Sequence, residues 1–369
     1  MKFRSKDWLL LPLISLATIV TLFLAGELVS RIFWYQRLST ACGLPGVDEP
    51  KPNCTQTQKW FETGQIEEKH NDCGFRTAES CGPKSPGQVR GVVLGTSIAS
   101  SYMVSYADSF TARTTGYFGR TCGRLVDFQN VMIASDNIVS GVAKTLESID
   151  RLHPDFIVVV VSLFDFTHRM NPQQASVSPK NDDPSTPQGI VSWVDTYIKY
   201  RSHLFGLLRA IAYRDTGFYM KSHFANEDDY GFMDHPQAPD WQARFAELRR
   251  LVELSASKGK ALNVPVFLMY VPTEPELRLT ENQTFVTHPE ALEKEIARLA
   301  REYHVVQVPL TAVLRSHIAT PNLYYRFDGH PAANAHAIMA SELREKIVAN
   351  VSALSSCNVN AIGAAASSK

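Results

Sequence analysis

Two short stretches, far apart in the chain, carry residue types that could act together. In "GVVLGTSIASSYM" (91–103) an apolar run stops at Gly95 and Ser97 follows two residues later. In "YYRFDGHPAANAHAIMASEL" (324–343) Asp328 and His330 sit two apart, just before a helix-like run. A serine hydroxyl is a weak nucleophile; it needs a base, and the base needs an acid to orient it. Asp-x-His on one loop offers both, so Ser97, His330 and Asp328 form a candidate nucleophile, base and orienting acid. Taken alone, Ser97 also suits a plain helix N-cap, a common use of serine. A metal-ligand reading of Asp328 and His330 finds no second His/Asp cluster at ligand spacing. The expected chemistry therefore uses neither metal nor cofactor.

The elements that would position these residues follow from hydropathy. Short Val/Ile-rich runs at 89–95, 125–133, 156–164, 264–271 and 304–310 suit strands buried on both faces of a parallel sheet. Between them lie stretches with helical spacing, clearest at 240–260, where Phe245, Leu248, Leu251 and Leu254 form a stripe. Alternating strands and helices predict a doubly wound α/β fold with its site at the carboxyl edge of the sheet. Ser97 is expected in the first turn of a helix, "SIASSYM". Residues 171–240 break the rhythm and read as an insertion over the active face: a lid, a partner surface or an ordinary surface excursion.

The start of the chain differs in kind. Lys2, Arg4 and Lys6 precede an uncharged apolar run at 9–26, at the lower limit for crossing a bilayer. Cations before the run place the N-terminus in the cytoplasm and the remainder across the membrane; a cleaved signal peptide is the rival. All six cysteines come afterwards, an even number that suits an oxidising compartment. Their spacing favours Cys42–Cys54 and Cys73–Cys81, which leaves Cys122–Cys357, although six cysteines allow fifteen pairings. No CxxC is present, which counts against zinc. The chain divides into a membrane anchor (1–30), an irregular Cys-rich lead-in (31–88), an α/β domain (89–349) and a flexible tail (350–369). Lys+Arg and Asp+Glu both number 37, and zero net charge argues against a nucleic-acid partner.

The order strand–Gly-x-Ser, then a strand following "HPDF", then Asp-x-His before a terminal helix, resembles the SGNH/GDSL hydrolase superfamily of esterases, lipases and carbohydrate O-acyl esterases or acyltransferases. The resemblance implies a flavodoxin-like three-layer α/β/α sandwich over 89–349, with Ser97 as nucleophile, His330 as base and Asp328 as its partner. It places "NVMIASDN" where the family has an oxyanion-hole glycine, so Ser135 falls at that position, with Asp136 and Asn137 near substrate. Five residues depart from the pattern: Thr96 for an Asp, Ser135 for the glycine, Phe164 for an oxyanion asparagine, and Ala332 and Ala335 in the terminal block. Losing one oxyanion donor elsewhere costs about 10²–10³ in rate.

The expectation is an exported, membrane-anchored esterase or O-acyltransferase. Its domain would be periplasmic or otherwise extracytoplasmic. It would act on acyl, by resemblance acetyl, esters of an envelope or secreted glycan, with a membrane acyltransferase as a further partner. The alternatives are a degenerate member that binds a glycan or partner without turnover, and a structural assembly subunit.

Overall fold

The computed structural model of the protein describes residues 7–39, 41–44, 47–133, 135, 137–170, 202–225, 227–279 and 285–357. Asp136, most of the first half of the insertion (171–201) and the last twelve residues lie outside them.

Five strands form one parallel sheet: β6 (Val89–Gly95), β7 (Val126–Met132), β8 (Phe156–Ser162), β9 (Val266–Val271) and β10 (Val306–Val308). Their spatial order is β7-β6-β8-β9-β10. Counted from the first strand of the sheet this is 2-1-3-4-5, the flavodoxin-like doubly wound order, which reverses between β6 and β8. The fold expected from the strand–helix alternation is the fold observed.

Side chains along each strand alternate between two cores, as a period of two requires. Leu94, Ile157, Val159, Val161, Leu268 and Tyr270 join one core. It is covered by α3 (Ile138–Ser148), α7 (Pro239–Leu262) and α9 (Ala291–Glu302). Val93, Val158, Val160, Phe267 and Met269 join the other. That face carries α2 (Phe110–Cys122), α10 (Leu310–Ser316) and α11 (Ala333–Asn350). Burial on both faces explains why these strands read as unbroken apolar runs.

The lead-in, expected to be irregular, contains regular structure. β4 (Thr55–Trp60) pairs antiparallel with β1 (Tyr35–Arg37) and with β5 (Gln65–Lys69), and β2 (Gly43–Leu44) pairs with β3 (Val47–Pro50). It is tied to the α/β domain by buried polar contacts. Arg90 at the start of β6 pairs with Asp127 at 2.8 Å, and its guanidinium also donates to the carbonyls of Gly82 and Ser80. Asn71 donates to Gln129 at 2.8 Å. These buried bonds join the lead-in to the first two strands of the parallel sheet.

The cysteines pair as Cys42–Cys54, Cys73–Cys81 and Cys122–Cys357. The third bridge ties the segment after α11 to the end of α2. Val351, Leu354 and Cys357 are buried, so the chain is packed beyond position 350, where the tail was expected to begin.

One helix among the described residues is long and apolar enough to cross a membrane: α1 (Asp7–Trp34), with a candidate span from Leu10 to Ile32. The remaining helices are short: α4 (His203–Ala212), α5 (Thr216–Phe224), α6 (Glu227–Tyr230) and α8 (Glu274–Arg278).

Candidate active site

β6 ends at Gly95, where an added Cβ would stand 2.7 Å from the Val160 carbonyl on β8. Only glycine lets the strand end approach its neighbour this closely. The chain then passes through tight turns instead of the expected helix. Tyr102 N donates to the Ser97 carbonyl and Ser101 N to that of Ile98, both at 2.9 Å. Ser101 and Met103 take φ of 56° and 63°, and a left-handed residue cannot continue a right-handed helix. Ser100 Oγ also donates to the Ser97 carbonyl (2.8 Å), a local bond that competes with helical pairing. The lead-in clamps this turn: buried Arg76 donates to the carbonyls of Ser100 and Val104, each at 2.7 Å.

Asp328 and His330 come from the loop before α11. Gly329 between them has φ 92°, a conformation that suits glycine and folds Asp328 back onto its neighbour. His330 Nδ1 bonds to Asp328 Oδ1. His330 Nε2 lies 2.7 Å from Ser97 Oγ. The structure thus brings all three residues into one row across 233 positions of sequence. With Nδ1–H donating to the Asp328 carboxylate, the Nε2 lone pair is free to accept the hydroxyl proton. An imidazole held so can act as general base to the serine and then as general acid to a leaving group. Tyr102 packs its ring edge against His330 at 5.1 Å, backed by Trp60 of β4.

A fourth residue, absent from the sequence reading, supports the row. Glu62, in the lead-in, accepts from Phe327 N (3.0 Å to Oε1) and Asp328 N (3.0 Å to Oε2). Burial pushes its carboxyl above the usual range, while these two N–H bonds pull it back. No local pattern marks Glu62 in "KWFETG"; only the fold brings it to the Asp328 loop. Phe327 itself takes the edge of Trp34, the last residue of α1, at 4.9 Å.

At the point where the strand order reverses, Asp165 is buried and accepts from Thr96 Oγ1 (2.6 Å), Ser162 N (2.9 Å) and Ser162 Oγ (2.7 Å). Burial raises its pKa. This accounts for Thr96: a carboxylate there would face Asp165 inside the protein, whereas a hydroxyl donates to it. Asp165 is a structural tie between the ends of β6 and β8.

The expected oxyanion residues occupy the loop after β7. Ser135 has its carbonyl held by Arg169 Nη1 at 2.6 Å. Asn137 caps α3, its Oδ1 accepting from Ser140 N at 3.0 Å. Its side-chain oxygen is therefore occupied by the helix. Asp136 lies outside the described residues. Phe164, 52% exposed, follows β8 and brings no polar donor. Its ring lies 4.7 Å from that of His168, which pairs with Asp229 at 2.5 Å.

Two further points concern titratable groups. His336, fully buried in α11, accepts from Phe110 N at 3.2 Å, and burial lowers its pKa to about 3; it is a neutral structural histidine. Asp72, Cys73 and Cys81 come close enough to suggest a metal cluster, but the two sulfurs are joined to each other and have no thiolate to offer.

No protein-family model matches the chain, and no curated protein matches it significantly. Among solved structures, it is similar to an acetylxylan esterase from Geobacillus stearothermophilus, with 14% identity over 70% of this chain and 94% of that one, at a TM-score of 0.39. It is likewise similar to the protein TesA, with 14% identity over 70% and 97% at 0.40. An alpha/beta hydrolase enzyme from the metagenome of Lake Arreo, Spain, shows 12% identity over 72% and 96% at 0.38. At such scores these likenesses carry no argument about activity, which has to come from the site.

Proposed function

We propose that the protein is a membrane-anchored, exported serine ester hydrolase or O-acyltransferase of SGNH type. The observation that carries this reading is the 2.7 Å approach of His330 Nε2 to Ser97 Oγ, with Nδ1 engaged by Asp328. As Ser97 Oγ bonds to the ester carbonyl carbon, its proton passes to His330 Nε2. When the ester C–O bond breaks, that proton leaves with the departing alcohol. Water or a sugar hydroxyl then attacks the acyl-serine and gives its proton to Nε2; the acyl C–Oγ bond breaks, that proton passes to Ser97 Oγ, and the acid or the new ester leaves. The negative carbonyl oxygen needs donors, and Phe164 supplies none. The backbone N–H groups that open the turn after Gly95 take that role, together with Ser135 N.

The uncovered length of α1 and three disulfides support anchoring with the domain on the oxidising side, and the cations before α1 support a cytoplasmic N-terminus. An acylated, in particular acetylated, envelope or secreted glycan is the proposed substrate. Phe164, just past the carboxyl end of β8, offers an exposed ring against which a sugar can pack, and a membrane acyltransferase that hands acyl groups across the bilayer is the proposed partner in the transfer reaction.

The test uses the full chain in detergent or nanodiscs. Wild type is expected to hydrolyse 4-nitrophenyl acetate and to be labelled at Ser97 by a fluorophosphonate. Ser97→Ala should abolish labelling and lower turnover by about 10³-fold or more. No labelling and equal turnover in both would leave the glycan-binding reading without catalysis.

A further inference from the structure

We infer that α4 is a second membrane-contact element, which lies in the bilayer's boundary layer beside α1 and holds the Asp328–His330 loop at the membrane surface. The inference rests on reading α1 as the anchor.

It begins with Glu27, a carboxylate inside the candidate span. Counted from Leu10, a hydrocarbon layer needs about 20 residues, which reaches Val29 and leaves Glu27 within it. An ionised group there must find partners. Glu27, 5% exposed, pairs with Arg31 Nε one turn on at 3.2 Å and finds its remaining partners at the start of α4: Ser202 Oγ at 2.8 Å, and the N–H groups of His203 and Leu204 at 3.1 Å. His203 Nδ1 lies 3.1 Å away. The carboxylate caps the helix, so the start of α4 sits at the depth of Glu27.

The packing agrees. An added Cβ on Gly206 would stand 2.6 Å from the Trp34 ring, and one on Gly26 would stand 3.0 Å from Leu204. Phe23 and Phe205 approach to 5.9 Å. α4 is therefore pressed against the second half of α1. Its outer side is uncovered: Leu208 and Ile211 are 51% and 47% exposed, and Phe205, at the edge of the contact with α1, is 37% exposed. They repeat every third residue and share one side of the helix. Ten residues are too few to span a bilayer but suit an interfacial segment. The half of α1 on which α4 packs is itself bare and apolar, with Leu24, Leu28 and Ile32 exposed. An exposed apolar helix side held against an exposed apolar span fits lipid, rather than another protein, as the occupant.

The consequence for the site runs through Arg209. Its guanidinium lies 4.5 Å over the Phe327 ring, the residue before Asp328. The loop that carries Asp328 and His330 thus stands directly on the α1–α4 pair.

The test places p-benzoylphenylalanine in turn at Leu208, at Ile19 in the middle of the span, and at Lys294 on α9, in the full chain reconstituted into phosphatidylcholine/phosphatidylglycerol vesicles. Adducts after irradiation are read by mass. The inference expects phospholipid adducts at Leu208 within about threefold of those at Ile19 and at least about tenfold above those at Lys294. Lipid adducts at Ile19 with none at Leu208 would overturn it and leave the anchor standing. Protein adducts at Leu208, whether to a second copy or to another chain, would overturn it in favour of a docking face. No lipid adducts at Ile19 would remove the anchor and the inference together.

Discussion

Glu62 offers the sharpest test of how the site is held. Glu62→Ala removes the acceptor from two backbone donors, Phe327 N and Asp328 N. Bonds to a charged acceptor are worth about 1.5–3 kcal/mol each when fully buried. Asp328 is exposed and Phe327 only half-buried, so water replaces part of each, and about 1 kcal/mol per donor is the appropriate scale. A total of about 2 kcal/mol corresponds to roughly 30-fold in the population that keeps Asp328 on His330. The loss should appear in kcat, because Glu62 reaches the loop and not the ester. Glu62→Gln keeps an acceptor of the same reach and should recover most of the activity, to within about 3–10-fold of wild type. The assay is 4-nitrophenyl acetate turnover by the full chain, with kcat and KM resolved separately and folding checked by thermal melting. A well-folded Glu62→Ala variant with kcat within about twofold of wild type would refute the reasoning. So would a loss confined to KM.

Three other outcomes follow from the same geometry. Phe164→Asn should raise kcat by about tenfold or more, because it puts a side-chain donor where an exposed ring now offers none; a pre-steady-state acylation rate checks it. His336 must stay neutral to remain folded, so stability is full above pH 6.5 and falls as pH drops towards its native value of about 3. His336→Asn, which keeps an acceptor for Phe110 N, should remove about 2 kcal/mol of the acid loss between pH 6.5 and 5, read by urea unfolding at each pH. Cys122→Ser together with Cys357→Ser opens a bridge between residues 235 apart; unfolding free energy should fall by about 2–5 kcal/mol.

Much of the framework was legible in the primary structure, for a physical reason. A strand buried on both faces must be apolar throughout, so β6 and β8 announce themselves as "VRGVVLG" and "FIVVVVS". Helices with one buried face show their stripe, and α7 spans the 240–260 stretch in which Phe245, Leu248, Leu251 and Leu254 recur. The spacing of Asp328 and His330 was visible because both sit on one loop. What stayed hidden depends on contacts distant in sequence or on backbone geometry. "SIASSYM" has the composition of a helix start, yet Ser101 and Met103 are left-handed, held there by Arg76 from the lead-in. Neither Arg76 nor Glu62 belongs to any periodic pattern, and both lie in a segment whose Pro, Gly and Cys content masks its short strands. Glu27 gave no warning either: a single acid at the end of an apolar run looks like a boundary until its partner helix is seen.

The edge contact between Trp34 and Phe327 bears on how this molecule should be handled at the bench. A fragment that starts after residue 34 would lose the Trp34 ring and leave that of Phe327 bare on one side, one peptide bond from the acid bonded to His330 Nδ1. Turnover numbers from such a fragment would understate those of the parent. A silent fragment would then indict the truncation before it indicted the chemistry.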